Sequence, residues 1–99
     1  MARTPEGKVK DDVVKLLKKF NAYYFFPATH GYGRSGIPDI ICCLKGGRFL
    51  GIECKAEGKA PTSLQIRELH IIQDTGGLAL TVTPSRLPLL ELLLKENSQ

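Results

Sequence analysis

The sequence predicts an α/β fold, a central mixed sheet flanked by helices in the order α-β-β-β-α-β-α. Three observations predict it. Apolar residues recur at helical spacing after Thr4-Pro5, and a second helical segment follows Thr62-Ser63. Between them lie three short apolar segments bounded by glycine or proline. One more strand is reached only through the second helix, so a strand series is joined to a helical crossover.

Each element has a local cause. Thr4 caps the first helix and Pro5 takes its first position, where a missing N–H costs nothing. Val9, Val13, Leu16, Leu17 and Phe20 form its apolar stripe, and the helix should stop near Asn21. Tyr23-Tyr24-Phe25-Phe26 reads as a strand, with the aromatics serving core and interface in preference to base stacking. Pro27 to Gly36 holds three glycines and a proline and reads as a loop. Asp39 to Leu44 and Arg48 to Lys55 read as strands around Lys45-Gly46-Gly47. After a polar loop from Ala56 to Pro61, Thr62 or Ser63 caps a helix running to about Thr75, which Gly76-Gly77 ends. Leu78 to Thr83 is a strand. Ser85 opens a last helix, with Pro88 tolerated in its first turn.

The length of 99 residues fits one domain spanning the whole chain, and a hydrophobic fraction of 42% suits a packed core. A domain this small gains from a partner subunit. No apolar run approaches the ~20 residues that span a membrane. The N-terminus lacks the apolar core of a signal peptide, so the expected location is the cytoplasm, that of the bacterial host if the chain is phage-encoded. Cys42, Cys43 and Cys54 form no CxxC pair and are odd in number, which points to reduced thiols. The net charge of +4 favours an anionic partner, although most of the lysines read as solvated surface.

Asp39, Glu53 and Lys55 stand out because they interrupt segments that otherwise look buried. A buried charge must be paired or hold a metal. The hairpin register decides whether they meet. A two-residue turn at Gly46-Gly47 would set Ile40 opposite Glu53, an apolar residue beside an acid. A three-residue loop, Lys45-Gly46-Gly47, sets Leu44 opposite Arg48, Cys42 opposite Leu50 and Ile40 opposite Ile52. Asp39 then comes opposite Glu53, with Lys55 two residues on and on the same face. Such loops end in a left-handed residue, and Gly47 occupies that place. Two carboxylates that close repel unless a cation lies between them. Mg²⁺, a hard ion often held by one or two carboxylates, meets that demand. Lys55 beside it could orient a water or stabilise charge on a phosphate. The alternative is a structural ion pair between Lys55 and one acid.

Pro38-Asp39, a hairpin and Glu53-Cys54-Lys55 resemble the PD-(D/E)XK nuclease motif, and the element order resembles that superfamily's restriction-endonuclease-like core. More narrowly the chain resembles stand-alone VRR-NUC domains of phages and bacteria, and it is similar to archaeal Holliday-junction resolvases. The likeness runs from Pro5 to about Thr83. Gln65 early in the second helix and Glu6 at the start of the first match features of the narrower family.

The resemblance implies a metal-dependent DNA endonuclease. Asp39 and Glu53 would bind Mg²⁺, or Mn²⁺ as a substitute, assisted by the main-chain carbonyl of Cys54. Glu6 would complete the site through water. Lys55 would position or deprotonate the attacking water, and Gln65 would brace Lys55 or that water. Branched DNA such as a Holliday junction is the implied substrate, cut by a homodimer. Two of these residues also have plainer readings: Glu6 as a first-turn acid complementing the helix dipole, Gln65 as part of a helix cap. Arg34, Ser35, Lys45 and Lys59 are candidate nucleic-acid contacts. His30 and His70 are not needed by the chemistry. The last helix, with Leu87, Leu89, Leu90, Leu92, Leu93 and Leu94, has more apolar surface than one face requires and is a candidate dimer contact. The competing functions are a non-catalytic nucleic-acid-binding module that keeps the fold and an interaction protein with a structural ion-pair network.

Overall fold

The computed structural model describes residues 3–28 and 33–98, and His30 lies outside them. The elements follow the predicted order: α1 (Pro5–Lys19), β1 (Tyr23–Phe25), β2 (Ile40–Leu44), β3 (Arg48–Cys54), α2 (Ser63–Asp74), β4 (Leu78–Val82) and α3 (Leu87–Glu96). The Thr4 side chain caps α1, accepting the Gly7 N–H at 3.0 Å, with Pro5 directly after it. Val9, Val13 and Leu17, four residues apart, are the residues α1 buries.

The strands lie in the order β1-β2-β3-β4. The first three pair antiparallel, and β4 joins β3 in parallel after the α2 crossover. The hairpin has the three-residue register: Leu44 opposes Arg48, Cys42 opposes Leu50 and Ile40 opposes Ile52. Both Gly46 and Gly47 have positive φ, and the Gly47 N–H returns to the Leu44 carbonyl at 3.0 Å. The turn therefore needs a left-handed residue at two positions where one was expected.

Strand alternation divides the sheet into two faces. On one, Ile40, Cys42, Leu44, Leu50, Ile52, Cys54 and Val82 pack with the α1 stripe and with Leu90 and Leu94 of α3. Burying each large aliphatic side chain stabilises by about 1.5–3 kcal/mol. Among the described residues the other face is covered by α2 over β3 and β4, with Pro38 against Gly51. Its uncovered half exposes Tyr23, Phe25, Cys43 and Phe49. The aromatic run is thus split by alternation: Tyr24 packs against the core, while Tyr23 and Phe25 face outward on the other side.

Two expectations about the C-terminal segment change. Ser85 does not open the last helix. Pro84–Arg86 form a 3-10 turn, in which the Ser85 N–H and hydroxyl donate to the Glu57 carboxylate at 2.9 and 3.0 Å, and α3 begins at Leu87. The leucine surplus of α3 is also mostly internal. Leu90 and Leu94 are buried, Leu87 and Leu93 pack against the core, and Leu89 and Leu92 remain exposed. The cause is that α3 touches α1 on one side and β4 on another. No described helix is long and apolar enough to cross a membrane.

Candidate active site

The site forms where β3 ends. Glu53 is 1% exposed, although it carries a carboxyl group, because it points from β3 under the first turn of α2. Asp39 lies one residue before β2, one step beyond the Ile40–Ile52 pair, which puts it beside Glu53. Its Oδ2 accepts the Cys54 N–H at 2.8 Å, a charge-assisted bond that fixes the carboxylate to the partner strand. The Cys54 thiol points the other way, into the core, and burial pushes it up to about 12. What Cys54 offers the site is its main chain.

Glu53 Oε1 accepts from Gln65 Nε2 at 3.1 Å, whereas Oε2 is buried without a hydrogen-bond partner. Burial first, and Asp39 next, push the Glu53 carboxyl up to about 8, against the pull of Lys55. The orphaned oxygen, the raised acid and the neighbouring carboxylate all favour a cation between Asp39 and Glu53. The donors are hard oxygens, which suits Mg²⁺ or Mn²⁺ over a thiolate-seeking metal. Among the described residues no three His, Cys, Asp or Glu side chains converge as a cage. An ion here would be held by the two carboxylates and a main-chain carbonyl, leaving positions for water and substrate.

Gln65 fills both of its readings with different atoms. Its Oε1 accepts the Thr62 N–H at 2.8 Å and its backbone N–H donates to Thr62 Oγ1 at 3.3 Å, a complete capping box. Its Nε2 is left for Glu53. The expected brace on Lys55 or water is therefore a brace on the second carboxylate.

Lys55 extends the parallel ladder, its N–H donating to the Val82 carbonyl at 3.0 Å. Its ammonium lies 3.6 Å from Glu6 Oε1. Glu6 is both the first-turn acid of α1 and the partner of the lysine. A cleft of about 440 Å³ opens beside this pair, lined by Thr4, Pro5, Glu6, Lys55, Ala56, Lys59 and Ala60, so Lys59 is brought to the site.

The other basic candidates divide. Lys45 sits in the β2–β3 turn, at the opposite end of the hairpin from Asp39. The five residues of β2 separate them, roughly 20 Å for six steps along a strand. Ser35 is exposed in the loop before Asp39, and His70 is an exposed residue of α2. Arg34 NH2 lies 3.2 Å from Glu68 Oε1. Glu68 is a buried acid that the sequence reading missed. Its signal was an acid within the inward stripe Gln65, Glu68, Leu69 and Ile72 of an otherwise amphipathic helix.

No family model matches the chain. It is 47% identical over 65 residues to "Putative nuclease p44" of Acyrthosiphon pisum secondary endosymbiont phage 1. That match covers 64% of this chain and 66% of the relative, just under two thirds of its length. A solved "VRR_NUC domain" superposes with a TM-score of 0.75 at 23% identity, covering 89% of this chain and 95% of that one. A second, a "VRR_NUC domain protein", gives 0.72 at 16% identity, covering 98% and 90%. The chain therefore has the VRR_NUC fold, with Asp39, Glu53 and Lys55 gathered at one end of its sheet.

Proposed function

We propose that this chain is a Mg²⁺-dependent VRR-NUC endonuclease that hydrolyses DNA phosphodiester bonds, acting as a homodimer on branched DNA such as Holliday junctions. The observation that carries the reading is Glu53: a buried carboxylate with an unpartnered oxygen, beside Asp39 and within the field of Lys55. Asp39, Glu53 and the Cys54 carbonyl would hold Mg²⁺, with Mn²⁺ as a substitute. That ion would polarise the scissile phosphate and acidify a water.

The chain's own groups do the rest. Gln65 and the Cys54 N–H fix the two carboxylates so that neither has to reorganise on binding. Lys55 lies against Glu6, which keeps the ammonium at the mouth of the cleft, where it orients the attacking water and offsets charge growing on the phosphate. Glu6 would also reach the ion through water. The water oxygen bonds to phosphorus as its proton passes to solvent, and the bond from phosphorus to the leaving oxygen breaks as that oxygen takes up a proton from solvent.

Lys59 stands in the same cleft, where it would contact a neighbouring phosphate; Ser35 and Lys45 would serve as further backbone contacts. Contacts of this kind read shape and charge, not base edges. The likeness to archaeal resolvases supports branched DNA as substrate. For the dimer, the exposed Tyr23, Phe25 and Phe49 on the same sheet face as the site, with Leu89 and Leu92 of α3, supply apolar surface. A second subunit would double the active sites and widen the basic surface.

The test uses a labelled four-way junction and a linear duplex, with Mg²⁺ and with EDTA, for wild type and Lys55→Ala. The expected result is Mg²⁺-dependent cutting, faster on the junction, that Lys55→Ala lowers by at least ~100-fold. Equal rates for the variant, or no cutting, reject the nuclease. Binding without cutting favours the non-catalytic module. A strict monomer in sedimentation at high concentration rejects the dimer.

A further inference from the structure

We infer that Glu68 is a positioning residue, which holds Arg34 as a clamp for a backbone phosphate next to the one that is cut. The inference rests on the nuclease reading for the word "cut", but its central observation stands apart from the Asp39–Glu53 pair.

Glu68 is 4% exposed, in the inward stripe of α2. A leucine there would continue the stripe without the cost of burying a charge. Its Oε1 lies 3.2 Å from Arg34 NH2, and its Oε2 has no hydrogen-bond partner. The Arg34 side chain is 67% exposed. The pair is thus lopsided: a buried carboxylate meets one nitrogen of a guanidinium whose side chain is mostly exposed. A guanidinium carries five N–H donors, and among the described residues Arg34 meets an acid through this one nitrogen. The remaining donors fit the oxygens of a phosphate.

The location suits that use. The backbone that carries Arg34 is pressed against the start of α2. Gly36 has φ +83°, and a Cβ built there would fall 2.5 Å from the Leu64 carbonyl group. Three residues later the same strap delivers Asp39. On α2, Glu68 follows Gln65 by one helical turn, about 5 Å. Gln65 itself touches Glu53. Arg34 therefore stands on the α2 side of the site, placed for a phosphate that flanks one held through an ion at Asp39 and Glu53. A free arginine would lose its side-chain freedom on meeting DNA. One already held by Glu68 loses less.

The test is a double-mutant cycle on duplex binding in EDTA, read by fluorescence anisotropy across a salt series, with Arg34→Ala, Glu68→Gln and the double variant. Arg34→Ala should lower the slope of log K against log salt by about 1. Glu68→Gln should weaken binding roughly threefold to tenfold, and the double variant should bind no worse than Arg34→Ala alone. Losses that simply multiply, or a Glu68→Gln variant that binds as wild type, overturn the clamp. If Glu68→Gln melts early, Glu68→Leu repeats the cycle with the cavity filled. Steady-state cleavage separates a purely structural strap: the clamp predicts a raised KM at unchanged kcat for Arg34→Ala, and a lowered kcat with unchanged KM overturns it. A coupled cycle in a chain that never cuts would reject the nuclease reading and leave the phosphate clamp. An additive cycle in a chain that cuts would reject the clamp alone.

Discussion

Glu53→Gln isolates the buried carboxyl of the site. The folded protein pushes the Glu53 carboxyl from 4.5 up to about 8, through burial and then Asp39. Between about pH 4.5 and pH 8 the folded state thus holds a proton that the unfolded state has released. The contribution of Glu53 is fully present below the unfolded value and is lost as pH rises through the folded one. A rise from 4.5 to about 8 corresponds to about 5 kcal/mol, an upper bound because water entering the site relieves part of the burial. Glutamine is neutral throughout and lacks this pH dependence. Urea denaturation in EDTA at stepped pH gives the comparison, since titrating groups remote from Glu53 cancel in the difference. Wild-type stability minus that of Glu53→Gln should fall steadily from pH 4.5 to pH 8. Saturating Mg²⁺ at pH 8 should restore the wild type and leave the variant unmoved. Two curves that stay parallel across the window would refute the reasoning.

Four further substitutions test separate parts of the structure. Gln65→Glu keeps an acceptor for the Thr62 N–H but replaces the donor to Glu53 with a third charge; metal-free stability at pH 8 should drop by about 1–3 kcal/mol in urea melts, and Mg²⁺-dependent cutting at least ~10-fold. Gly36→Ala meets both a positive φ and the Leu64 carbonyl, and should cost more than about 2 kcal/mol by the same melts. Gly33→Ala, equally left-handed but with open space around it, should cost only about 1 kcal/mol. Leu50→Ala removes a fully buried side chain beneath α1 and α3 and should cost about 2–5 kcal/mol.

The register of the hairpin was legible because two independent signals agreed. The period-2 pattern required Ile40 beside Ile52, and Gly47 supplied the turn residue that this pairing needs. Asp39 and Glu53 followed from it. Gln65 was harder. Its cap and site roles looked like alternatives, and only coordinates show that one amide serves both, through opposite ends. Glu68 was missed because an acid on an amphipathic helix usually faces water. The strap over α2 that buries it depends on contacts between Gly36 and Leu64, twenty-eight residues apart in sequence. Lys45 and Arg34 looked alike as basic loop residues. One lies at the remote end of the hairpin and the other is tied to a buried carboxylate. The leucines of α3 could not be divided between core and surface without knowing that the helix touches both α1 and β4.

The central claim is that Asp39 and Glu53 form a divalent-ion site. A crystal grown with Mn²⁺ tests it through anomalous scattering. The account predicts one strong peak between the two carboxylates, at coordination distance from Asp39 and from the now unpartnered Glu53 Oε2, roughly 2.0–2.6 Å for hard cations and oxygen. No peak there at saturating Mn²⁺, or a peak that Asp39→Asn leaves unchanged, would contradict it.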